Sequence, residues 1–246
     1  MSRYFERAAE LSGKTAVVTG ASNGIGEGIA RCLAADGAAV VINYASSGGE
    51  ADRVVAEIKA KGGKAIAVQG DVTKAADVER IFAQTKQAFA RLDILVNNAT
   101  VYNLLPLNQV MEEDFHRYFN INVLGLQLAT QEATKLFGPE GGSVFNINSV
   151  VSDLNPQNSV YYVATKSAAA SVTRALANEL SVKKIRVSTI DVIVQLLNRG
   201  IEAPPTGDAI AFVEDVLVEA LSNGIRCWAL RLESGTINIL LRRPKT

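Results

Sequence analysis

The sequence predicts an α/β fold, a single-domain doubly wound parallel sheet with helices on both faces. Three observations predict it. Short, β-branched apolar runs alternate with longer segments of helical length. A glycine-rich turn follows the first apolar run and opens the first helix. The chain has 246 residues and is 48% hydrophobic, enough to bury one substantial core, and no Pro-rich linker or internal repeat divides it.

The candidate strands are Thr15–Thr19, Ala39–Asn43, Ala65–Gly70, Ile94–Asn97, Ser143–Ile147 and Arg186–Ile190. Strands buried on both faces read as near-continuous apolar runs, which is why the sheet is expected to be parallel. The intervening helices are placed at Gly26–Ala35, Glu50–Lys61, Ala75–Ala90, Glu112–Leu136 and Val160–Leu180. Gly62-Gly63 and Gly141-Gly142 mark turns. Towards the end the pattern is less regular. A helix is expected over Asp208–Ser222 and a last strand over Thr236–Leu241, before the basic residues Arg242, Arg243 and Lys245.

Composition excludes several classes of function. Lys and Arg number 25 and so do Asp and Glu, so no basic field exists to hold a nucleic acid. Cys32 and Cys227 form no CxxC pair and His116 is the sole histidine, so neither a zinc site nor a disulfide framework is expected. His116 is read as a structural or interface residue. The charged residues 1–11 lack a signal-peptide core and no apolar run is long enough to span a bilayer. The expectation is a soluble, cytoplasmic protein with no membrane partner.

Thr19-Gly20-Ala21-Ser22-Asn23-Gly24-Ile25-Gly26 is the first candidate site. Glycine lets a backbone approach a ligand closely, and the N–H groups at a helix start attract a pyrophosphate. The second strand ends Val41-Ile42-Asn43-Tyr44-Ala45-Ser46-Ser47, where an acidic residue would bond a ribose 2′-hydroxyl and repel a 2′-phosphate. With neutral Asn43 and the hydroxyls of Ser46 and Ser47 there, NADP is favoured and NAD remains possible. The alternative is an ordinary strand-end turn.

Tyr162-Val163-Ala164-Thr165-Lys166 is the second site. Residues four apart share a helix face, and an ammonium beside a phenol is expected to lower the phenol pKa and permit proton exchange with a carbonyl or alcohol oxygen. Tyr161 has uncharged Thr165 at that spacing, so Tyr162 is preferred.

From Lys14 to about Val187 these motifs resemble the short-chain dehydrogenase/reductase family, whose fold is Rossmann-type. Gly70-Asp71-Val72-Thr73 is similar to its adenine-contacting segment and Asn97-Asn98-Ala99 to its turn after the fourth strand. Asn120-Ile121-Asn122-Val123 looks like the motif of its catalytic asparagine, and Ser149 precedes Tyr162 by the spacing of its catalytic serine. The resemblance implies that Ser149 positions a carbonyl oxygen and Tyr162 donates the proton as hydride arrives. It also implies that Lys166 holds the nicotinamide ribose, and that Asn122 holds a water linking Lys166 to solvent. The implied cofactor contacts are Gly20, Ser22 to Gly26, Asn43 to Ser46, Asp71, Val72, Asn98, Ala99, Tyr162 and Lys166. Each has a plainer reading too, with Ser149 as a strand-end hydroxyl and Asn122 as a helix-internal hydrogen bonder.

The activity implied is NADPH-dependent reduction of a ketone to a secondary alcohol, similar to that of 3-oxoacyl-thioester and polyketide-type ketoreductases. An NAD-dependent sugar or alcohol dehydrogenase is the enzymatic alternative, and a catalytically impaired binding protein the other. A homodimer or homotetramer is implied through the helices around residues 112–136 and 160–180. Two departures from the family pattern stand out. Thr100 replaces a usual glycine, and from about residue 191 Val192, Ile193 and Leu197 replace Pro-Gly and a threonine that anchor the nicotinamide.

Overall fold

The computed structural model describes residues 11–149, 155–192 and 240–241. Six parallel strands form the sheet: β1 (Thr15–Val18), β2 (Ala39–Tyr44), β3 (Lys64–Gln69), β4 (Ile94–Asn97), β5 (Gly142–Ser149) and β6 (Ile185–Val192). Their order is β3-β2-β1-β4-β5-β6, so the winding reverses between β1 and β4. Such a reversal opens a crevice at the carboxyl ends of the strands. Leu240–Leu241 (β7) extends the sheet and runs antiparallel to Ile190 and Asp191. The last predicted strand is thus seen at these two residues and departs from the parallel direction, as edge strands of doubly wound sheets can. The helix expected at Asp208–Ser222 lies outside the described residues.

Alternation along the strands decides which helix packs where. Val18, Val40, Ile42, Val96 and Phe145 turn to one face, against Ile29 and Leu33 of α1 (Gly24–Ala35) and Val54 and Ile58 of α2 (Gly48–Ala60). Their neighbours Val17, Val41, Leu95 and Val144 turn to the other. There they meet Val78, Ile81 and Phe82 of α3 (Ala75–Phe89), Ala129 and Ala133 of α5 (Gly125–Leu136) and Leu180 of α6 (Val160–Leu180). A period of two in the strand and an apolar stripe on each helix are therefore satisfied together.

The segment predicted as one helix over Glu112–Leu136 is divided. α4 (Glu112–Phe119) passes into a π turn over Asn120–Leu124, where the Gly125 N–H donates to the Asn120 carbonyl, and α5 follows. A π turn inserts one extra residue into a helix and re-aims the side chains beyond it. Here it turns Asn122 inward, and the side chain is buried.

Polar side chains fasten the helices to the sheet below the crevice. Asn97 Nδ2 donates to Asn146 Oδ1 at 2.8 Å and to Thr130 Oγ1 of α5 at 3.1 Å, and Asn146 Nδ2 donates to Thr173 Oγ1 of α6 at 2.8 Å. Buried amides with partners of this kind fix helix position more sharply than apolar contact alone.

Candidate active site

At the crevice, Gly20 has φ +62°, and a Cβ there would lie 2.9 Å from Ala99 Cα, so only glycine fits. Gly26 packs underneath, where a Cβ would meet Asn98 Nδ2 at 2.4 Å. That amide ties the loop down by donating to the carbonyls of Thr19 at 3.0 Å and Gly20 at 2.9 Å. Thr19 Oγ1 in turn accepts from the N–H groups of Asn98 and Ala99. Sequence reasoning placed Thr19 at the head of the loop but did not give it this bracing role, because its partners lie about 80 residues away in the chain.

Asn23 precedes α1 but makes no side-chain cap, its Nδ2 donating instead to Glu50 Oε2 at 2.8 Å. The first-turn N–H groups of α1 therefore keep their orientation towards the crevice. The crevice has a volume of about 400 Å³. The predicted contacts Gly20, Ser22 to Ile25, Asn43 to Ser46, Asp71, Val72, Asn98 and Ala99 all line it, joined by Ser47, Gly70, Thr100 and Ile121. Gly26 contributes by close packing beneath.

Asn43 lines the crevice and is also bonded within the protein. Its amide is buried and engaged within the protein, accepting from the Gly20 N–H at 3.3 Å and donating to the carbonyls of Val68 at 3.3 Å and Gly70 at 3.0 Å. It braces the ends of β1, β2 and β3 together. Tyr44, Ala45, Ser46 and Ser47 line the crevice beside it.

Beside the crevice, the four predicted reaction residues come together. Tyr162, at the start of α6, is buried and hydrogen-bonded to Ser149 at the end of β5. Lys166 Nζ, also buried, donates to the Ile147 carbonyl at 2.9 Å and lies 5.6 Å from the Tyr162 ring centroid. Asn122 Nδ2 donates to Thr165 Oγ1 at 3.0 Å, and Thr165 Oγ1 donates to the Tyr162 carbonyl at 2.9 Å.

The electrostatics differ from the expected form. Burial pushes the Tyr162 phenol above its ordinary range, the Ser149 hydrogen bond opposes this, and Tyr102 and Tyr118 push it further up. The expected lowering by Lys166 is not seen; its ammonium is aimed at the Ile147 carbonyl and stands over the ring. Burial pulls Lys166 itself down to about 8, against the pull of Asp191.

Asn122 also binds the segment after β4. Its Oδ1 accepts from the Val101 N–H at 2.8 Å and from Thr100 Oγ1 at 3.1 Å, while Nδ2 donates to the Val101 carbonyl at 3.1 Å. The side-chain amide is fully used by protein partners. Thr100, which stands where the family usually has glycine, is partly held by this contact and lines the crevice. Tyr102, which the motifs did not single out, meets the Tyr162 ring edge to face with centroids 4.8 Å apart.

The profile of the short chain dehydrogenases matches residues 14–193. The chain belongs to the short chain dehydrogenase family. An uncharacterized oxidoreductase of Methylorubrum extorquens is 53% identical over 182 residues, 74% of this chain and 73% of that protein. A 3-oxoacyl-[acyl-carrier-protein] reductase of Synechocystis is 39% identical over 181 residues, 73% of each chain. A short chain dehydrogenase from Burkholderia cenocepacia, solved in complex with NADP, superposes with a TM-score of 0.76 at 32% identity, covering 85% of this chain and 91% of that one.

The protein is thus a family oxidoreductase that acts between alcohol and carbonyl groups and uses a nicotinamide cofactor. The residues present fit such a group, as the uncapped first turn of α1 and the side-chain-free wall at Gly24, where a Cβ would meet nothing within 4 Å, make a cradle for a pyrophosphate. Among the anchoring departures, Val192 is seen as a strand residue paired with Ser149. Ile193 and Leu197 lie outside the described residues, so the divergent segment from about residue 191 keeps its place as an expectation from sequence.

Proposed function

We propose that the protein reduces a ketone to a secondary alcohol with NADPH, Tyr162 serving as the acid. The meeting of Ser149, Tyr162 and Lys166 beside the crevice carries this reading, because a phenol hydrogen-bonded to a serine hydroxyl and flanked by an ammonium is placed to give a proton to a carbonyl oxygen. Ser149 hydrogen-bonds the phenol and would share the substrate oxygen with it. Lys166 would hold the nicotinamide ribose, with its charge balancing the oxyanion that develops. Gly20 to Gly26 and Asn98 would hold the pyrophosphate, and the bound cofactor supplies the hydride.

The choice of NADPH rests on the end of β2, where Ser46 and Ser47 line the crevice and no carboxylate stands. The observation favouring NAD is that no lysine or arginine is among the lining residues. Calorimetry with each cofactor, then turnover with β-ketoacyl esters, cyclic diketones and sugars, tests both parts. NADPH is expected to bind about tenfold more tightly than NADH, a difference of about 1.4 kcal/mol, and ketoesters to be reduced. Tighter NADH binding with sugar oxidation would install the dehydrogenase reading. Absence of binding by either would leave a binding protein.

The same reading places α4 and α6 at a homodimer interface. Met111, Phe115, Leu124 and Val160 are exposed apolar side chains on or beside these helices, and Phe115 stacks on Phe119 at 4.5 Å. Sedimentation equilibrium is expected to show a dimer or tetramer that Phe115→Glu weakens; a monomeric parent protein would sink the assignment. The cytoplasm is the compartment proposed. No helix among the described residues is long and apolar enough to cross a membrane.

A further inference from the structure

Asp191 is the charged residue near the reaction centre that the proposed mechanism leaves without a role. It stands directly across from Asn148 in the parallel β5–β6 pair, and Asn148 Nδ2 donates to its Oδ1 at 2.8 Å. By strand alternation it shares a face with Ile185 and Val187, the face covered by α6. Lys166 descends from α6 onto that face and takes the Ile147 carbonyl, one residue before Asn148. Carboxylate and ammonium are therefore brought to the same end of the same two strands.

We propose that Asp191 is a positioning residue for Lys166, a counter-charge clamped by Asn148 that keeps the buried ammonium charged and in place beside Tyr162. The proposal rests on the reductase reading in giving Lys166 a role in turnover. A buried ammonium without a counter-charge sheds its proton, since desolvation penalises the charged form alone. The groups that meet or act on Lys166 are the Tyr162 ring from its own helix, the Ile147 carbonyl from β5 and Asp191 from β6. Among the described residues, Asp191 is the charged side chain that acts on it, and it acts to favour the charged form. Removing that charge moves the lysine's proton loss to lower pH.

The test has two arms. In protein labelled with ¹⁵N-lysine, the Lys166 side-chain resonance, assigned by its loss in Lys166→Met, is followed against pH without cofactor. Asp191→Asn is expected to move its midpoint about one pH unit lower, an about tenfold smaller ammonium fraction above it. Asp191→Glu is expected to restore most of the shift. In the second arm, the alkaline limb of kcat/KM moves down in Asp191→Asn and returns in Asp191→Glu. A merely structural role would lower activity at every pH without moving the limb. Should Asp191→Asn fail to fold, Asn148→Ala, which keeps the carboxylate and releases its clamp, is expected to move the midpoint in the same direction by less. An unmoved midpoint in whichever of the two variants folds overturns the proposal. Failure of every carbonyl to turn over would count against the reductase reading, and the titration would still decide Asp191.

Discussion

Replacing Tyr162 by Phe is expected to lower kcat by about 10³-fold while leaving cofactor affinity and folding nearly unchanged. The ring stays, with its edge-to-face contact to Tyr102 and its packing against Tyr118, so the wall of the site is retained. What goes is the hydroxyl that donates the proton. Ser149, fully buried, loses that hydroxyl as a partner, at a cost of about 1 kcal/mol in stability. Tyr102→Phe serves as the control, because it removes a hydroxyl from the adjoining ring and should retain turnover. Steady-state kinetics on the two variants, with thermal melting and cofactor titration, separate the roles. A Tyr162→Phe enzyme within tenfold of the parent would remove Tyr162 as the acid.

The pH dependence of the parent follows from the same two groups. Below about 8 Lys166 is charged. The phenol, raised above its ordinary value, stays protonated through neutral pH. Reduction should accordingly be level near neutrality and decline as pH rises through about 8, where the ammonium is lost. Oxidation of the alcohol, which needs the phenolate, should gain on reduction as pH rises.

Much of this site was legible in the residues, for physical reasons that also mark where legibility stopped. The unbroken apolar runs Ala16 to Val18 and Val40 to Ile42 reveal the strands, because both sheet faces must be apolar. The loop from Gly20 to Gly26 is readable because close backbone approach admits only glycine. Tyr162 and Lys166 are readable because helical spacing is local. The π turn at Asn120–Leu124 is not, since one extra residue leaves the apolar pattern of Glu112–Leu136 helical on either side. Asn43's bracing bonds were not readable, because a polar side chain at a strand end has the same signature whether it faces a ribose or a neighbouring strand. Its partners Gly20, Val68 and Gly70 are 23 to 27 residues distant and meet it through topology. The Asn148–Asp191 contact spans 43 residues and is likewise created by strand pairing.

Asn122→Ala is expected to lose both turnover and stability. Truncation removes every partner the amide supplies: the N–H and carbonyl of Val101, Thr100 Oγ1 and Thr165 Oγ1. Thr165 keeps its bond to the Tyr162 carbonyl, so α6 holds its start. The Val101 backbone has no such reserve, and a part-buried N–H without a partner costs about 1–3 kcal/mol. For a chain of this length that corresponds to a melting temperature lower by roughly 2–10 °C. The segment from Thr100 to Asn103 carries Tyr102 onto the Tyr162 ring, so loosening it misplaces the wall against which a substrate would lie. A displacement on the scale of 1 Å costs about 10²-fold in rate, and that is the kcat loss expected here. Asn122→Asp, which keeps the acceptor for the Val101 N–H and Thr100 Oγ1 and forfeits the donor to Thr165 Oγ1 and the Val101 carbonyl, should fall between the parent and Asn122→Ala on both scales. Rate and melting temperature must therefore decline together along the series. A variant stable as the parent but inactive would instead assign Asn122 a direct part in the chemistry.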